Sequence, residues 1–133
     1  MNQQENFLHP EQTINLFHIE KGSFVAELGS GHGYFTIPLA RATGPEGKVY
    51  AIDVQKNALD VIRRKAKLEH LLNVQTIWSD IERENGSRLK EGTVSAALAA
   101  NILFQLDCQS TLHPMFYAIV LLLIYWLIAL TCE

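Results

Sequence analysis

Val25-Ala26-Glu27-Leu28-Gly29-Ser30-Gly31-His32-Gly33-Tyr34-Phe35-Thr36 is the stretch on which the fold turns. Phe24 to Leu28 is a short apolar run with one acid inside it, stopped by Gly29. That pattern predicts a buried parallel strand running into a tight turn. The glycines allow a sharp turn and a close approach of backbone to a ligand, which a Cβ would block. Tyr34 to Ala42 is apolar with helical period, and Pro38 falls early in it, where the missing N–H costs least.

The segments on either side follow the same grammar. Upstream, His9-Pro10-Glu11 predicts a helix start, Ile14, Leu16 and Phe17 give that helix an apolar side, and Lys21-Gly22 ends it. Downstream, Lys48 to Asp53 predicts a second strand, Asn57 to Leu72 a second amphipathic helix and Asn73 to Trp78 a third strand. In that helix Arg63, Arg64, Lys65 and Lys67 read as a solvated face. Glu82 to Glu91 reads as a loop, and Thr93 to Ala100 as a fourth strand ending at Asn101. Alternation of this kind predicts an α/β domain with right-handed crossovers, a parallel sheet of about four strands and helices on its faces.

The chain has 133 residues, enough for one core, and a net charge of −3. The basic residues do not gather on one segment, so nothing indicates a nucleic-acid partner. Cys108 and Cys132 form no CxxC, and the five histidines lack ligand spacing, so neither a disulfide framework nor a metal site is expected. Met1 to Asn6 is polar and carries no signal-peptide pattern, which makes a cytoplasmic location the expectation.

In such a fold a ligand lies beyond the carboxyl ends of the strands, where the strand order reverses. Asp53, at the end of the second strand, could accept hydrogen bonds from both hydroxyls of a ribose. A nicotinamide dinucleotide site also has glycines followed by an acid, and an oxidoreductase is one alternative. The G-x-G-x-G spacing and Glu27 disfavour it, because a carboxylate there would repel a pyrophosphate and suit an ammonium group.

The quoted stretch resembles motif I of class I S-adenosylmethionine-dependent methyltransferases. Val49-Tyr50-Ala51-Ile52-Asp53 is similar to the next motif, and Ser79-Asp80-Ile81 to the acid after the third strand. Ala97 to Leu106 is similar to the fourth strand and its closing loop. Within the class the match is to the small-molecule type, with a partial Rossmann-like fold and S-adenosyl-L-methionine as cofactor. The resemblance implies that Glu27 lies near the methionine amino group, while Gly29, Ser30, Gly31 and Gly33 form the cofactor loop. It further implies that Asp53 holds the ribose diol and that Val54 flanks the adenine. Asp80 would accept from the adenine amino group, Ile81 would pack on the ring, and Asn101 would face the methionine portion. Simpler roles stand beside these: a helix cap for Asp80 and a turn for Asn101. No residue is named as a catalytic base.

The motif resemblance stops near Asp107. Residues 1–107 are expected to be the cofactor-binding part of a domain, and 108–133 a hydrophobic C-terminal segment. Leu112 to Thr131 carries no charged side chain and is as long as the ~20 residues that cross a bilayer as a helix. A membrane helix, an apolar helix packed on the sheet, and a shifted reading frame are the three readings of it. The first supports an alternative function, a membrane-anchored nucleoside-binding or interaction protein without turnover. Since the family's fourth strand is central, its outer edge here is an expected site of self-association.

Overall fold

The structure is a computed structural model that describes residues 9–16, 18–83 and 86–99. Helix α1 (Pro10–Leu16) precedes strand β1 (Phe24–Leu28), helix α2 (Thr36–Thr43) and strand β2 (Lys48–Asp53). Helix α3 (Lys56–Leu68) and strands β3 (Val74–Trp78) and β4 (Ala96–Ala99) complete the described order. The four strands form one parallel sheet in the order β3-β2-β1-β4. Val25 sits in register between Val49 and Ala96, and Val49 is paired in turn with Val74.

This order explains where the helices go. From β1 to β2 to β3 the chain steps in one direction, so right-handed crossovers place α2 and α3 on the same face. Side chains two apart in a strand share a face. Val49 packs with Phe35, Leu39 and Ala40 at α2, while Ala51 packs with Leu59 and Ile62 of α3. Ile14 of α1 joins the α2 cluster. The described helices therefore flank the sheet as expected, and all three pack on one face. The return from β3 across the sheet to β4 passes through turns, and none of its described residues is helical.

Several element ends differ from the sequence reading. α2 starts at Thr36, not Tyr34, because Gly29, Gly31 and Gly33 all adopt positive φ and the turn carries on to Phe35. Pro38 is then the third helical residue, where no intrahelical N–H donor is needed. α3 stops at Leu68 rather than Leu72. His70 takes φ 55°, the His70 N–H donates to Lys67 O at 3.2 Å, and the Leu71 N–H to Ala66 O at 2.8 Å. This is a Schellman close, with histidine in the left-handed position that glycine usually holds.

Asn101, the segment 108–133 and the expected C-terminal apolar helix lie outside the described residues. Among the described residues no helix is long and apolar enough to cross a membrane. β4 is the outer strand on its side of the described sheet.

Candidate functional site

The site is built where the carboxyl ends of β1 and β2 meet the glycine turn. Gly29 and Ser30 leave β1 by donating their backbone N–H groups to Ile52 O, at 2.9 and 3.0 Å. Gly31 then donates its N–H to Asp53 Oδ2 at 2.8 Å. The second oxygen of Asp53 accepts from the Gln55 N–H, also at 2.8 Å. One carboxylate thus ties together the loop after β1 and the loop after β2. A carboxylate has about four lone-pair directions, so Asp53 keeps acceptor capacity for a further donor.

The loop is supported from beneath by α3. A Cβ on Gly33 would stand 2.9 Å from Ile62 Cγ1, and Gly33 holds φ 84°. Lys65 reaches over to donate its ammonium to His32 O at 2.8 Å. At Gly31, by contrast, a Cβ would meet nothing within 4 Å among the described residues, so those residues leave room over the loop. Ser30 Oγ is buried and has no hydrogen-bond partner among the described residues.

Glu27 lies on the helix-covered side of β1, two residues before the first glycine, and is 2% exposed. The Thr36 hydroxyl donates to Glu27 Oε2. Burial pushes the Glu27 carboxyl up to about 8; the Thr36 hydrogen bond opposes this, and the nearby charge of Asp53 adds to it. An isolated buried carboxylate is costly, and an arriving cation would stabilise it.

Asp80 follows β3. Its Oδ1 accepts from the Glu82 N–H at 3.1 Å, and its Oδ2 faces Arg83 Nε at 3.2 Å. This is the local turn role, and it engages both oxygens without using up their acceptor capacity. Ile81 is half-buried beside it, and Val54 is exposed at the end of β2. Gly29, Ser30, Gly31, Gly33, Asp53 and Val54 are thus brought to one end of the sheet, with Glu27 beneath them and Asp80 and Ile81 one strand further on. Three contributors were not singled out from the sequence. Thr36 lay inside the quoted motif, but nothing marked its bond to Glu27. Lys65 was read only as solvated. Trp78 was read only as a strand residue. Among the described residues no group of three or more metal-ligating side chains occurs.

The residues fit S-adenosylmethionine. Asp53 offers a carboxylate to a diol, the open cradle at Gly31 admits a ligand close to backbone, and Ser30 Oγ supplies an unsatisfied polar atom. Glu27 would gain from an ammonium group.

Comparison with known proteins points the same way. Residues 25–120 match the family described as "Methyltransferase domain", a stretch that runs past Asp107 into the apolar run. Demethylmenaquinone methyltransferases from a Geobacillus species and from Geobacillus stearothermophilus are 39% and 42% identical over 67 residues. That stretch is 50% of this chain and 29% of each relative, so less than a third of their length is matched. The crystal structure of a SAM-dependent methyltransferase from Aquifex aeolicus superposes with a TM-score of 0.66 at 30% identity. It covers 74% of this chain and 50% of the Aquifex chain. The chain belongs to the methyltransferase-domain family, of the class I S-adenosylmethionine-dependent kind.

Proposed function

We propose that this chain binds S-adenosylmethionine at the carboxyl ends of β1 and β2 and serves methyl transfer to a small-molecule acceptor. The observation that carries the reading is Asp53, held between Gly31 and Gln55 at the mouth of an open glycine turn. When bound, the cofactor supplies an electrophilic methyl group on a sulfonium centre. The chain's own contribution is binding and alignment. Asp53 accepts from the ribose hydroxyls, Gly29 to Gly33 let the methionine portion approach the backbone, and Glu27 offers charge to its ammonium. Val54, Asp80 and Ile81 border the adenine; for Asn101, which lies outside the described residues, the methionine end is proposed from the motif resemblance alone. Residues 1–107 form the cofactor-binding part in this reading.

The acceptor is proposed from the relatives alone. Their names supply a demethylated menaquinone, and a methylation assay with that quinone tests it. Membrane attachment through 112–131 and self-association at β4 rest on the sequence pattern only.

The direct test is calorimetric titration of S-adenosylhomocysteine into the full chain, with Asp53→Ala as control. Two charge-assisted hydrogen bonds are at stake, so the substitution is expected to weaken binding by about 100-fold or more. Failure of the unsubstituted chain to bind would overturn the reading.

A further inference from the structure

Trp78 ends β3 directly beside Asp53 in the sheet register, and Ser79 donates its N–H to Asp53 O at 3.1 Å. The indole lies half exposed at the site's edge. Its Nε1–H donates to Val54 O at 2.9 Å, and Lys56 Nζ stands 3.8 Å from the ring centroid. The carbonyl of Val54 and the N–H of Gln55 belong to one planar peptide group. The N–H end is held by Asp53 Oδ1 and the carbonyl end by Trp78. Rotation of this peptide would break both bonds at once.

We infer that Trp78 is a positioning residue for the adenosine-binding edge, fixing the Asp53 carboxylate and the Val54 backbone through the Val54–Gln55 peptide they share. The inference rests on the reading of Asp53 as the ribose-binding group. With Lys56 on the ring and the N–H turned to Val54, the indole works through its hydrogen bond. Loss of that bond frees the peptide to turn and loosens Asp53 Oδ1, so the diol meets a less ordered carboxylate.

The test uses the full chain with Trp126→Phe as background, leaving one tryptophan. Trp78→Phe removes the N–H, and the sulfur isostere benzothienylalanine at position 78 removes it while keeping ring size. Both are expected to bind S-adenosylhomocysteine about fivefold more weakly, with an unchanged melting temperature. In nuclear magnetic resonance spectra of the unliganded protein, the Gln55 amide is expected to move upfield in both variants. Unchanged affinity in the isostere, or an affinity loss that merely follows a fall in melting temperature, would overturn the inference and leave the cofactor reading intact. If the unsubstituted chain, titrated alongside, does not bind, the cofactor reading falls, and this inference with it.

Discussion

Thr36 of α2 donates its hydroxyl to the carboxyl group of Glu27 in β1, and both side chains are shut away from solvent. Burial raises the Glu27 carboxyl from 4.5 to about 8. The folded state therefore holds a proton that the unfolded chain releases at lower pH. The stabilising contribution is fully present below pH 4.5 and is lost as pH rises through about 8. Over that window stability should fall by up to about 1.4 kcal/mol per pH unit. Glu27→Gln should flatten the dependence. Urea midpoints measured from pH 5 to 9 check this, and parallel curves for the two proteins would contradict it.

The same proton should report on the ligand. An ammonium group set against Glu27 favours the ionised form. Binding of S-adenosylhomocysteine near pH 7 should then release close to one proton, and Glu27→Gln should abolish that release. Calorimetry in two buffers of different ionisation enthalpy measures it. Equal release by both proteins would remove Glu27 from the account.

Gly33 and Ile62 are in forced proximity. Gly33→Ala places a Cβ 2.9 Å from Ile62 Cγ1 at a φ of 84°. The expected cost is about 1–3 kcal/mol, part from backbone strain and part from the contact. Combining it with Ile62→Ala should recover the contact portion and leave the strain. A double-mutant cycle in chemical denaturation separates the two.

Asn73, buried just before β3, carries the end of α2. Its Nδ2 donates to Ala40 O and to Gly44 O, each at 2.8 Å, and lies 3.2 Å from Thr43 Oγ1. Those carbonyls belong to the last turn of α2 and its cap. Asn73→Ala should destabilise by about 2–3 kcal/mol, because buried acceptors lose their donor. Asn73→Asp should cost more, since it turns a carboxylate toward carbonyl oxygens. Thermal unfolding of both variants tests the order.

His70 invites the opposite change. It sits at φ 55°, where a Cβ is unfavourable, and it closes α3. His70→Gly should stabilise by about 0.5–1 kcal/mol, the left-handed strain outweighing the added chain freedom of glycine. A lowered urea midpoint would show that the histidine side chain does more than occupy the turn.

These residues also mark how far the sequence could be read. β1 and β2 were legible to the residue, because apolar runs bounded by Gly29 and Asp53 admit one reading. The end of α3 was not, because the left-handed position is filled by histidine, which carries no stop signal. Lys65 was indistinguishable from its solvated neighbours, since its bond to His32 O depends on how α3 lies across the glycine turn. The shared face of the described helices follows from strand order, and the alternation of strands and helices does not state that order. For the site, the positions of Glu27 and Asp53 were legible, but the bonds of Thr36 to Glu27, of Gln55 to Asp53 and of Trp78 to Val54 were contacts that only the folded chain creates.

Asp53 also bears on how such chains are read when their activity is lost. It bonds the backbone of two separate loops before any ligand arrives. A descendant that no longer met its cofactor would still need this acid to keep its turns in place. Selection for folding alone would then favour keeping it, so Asp53 marks the turn it holds as well as any ligand it binds.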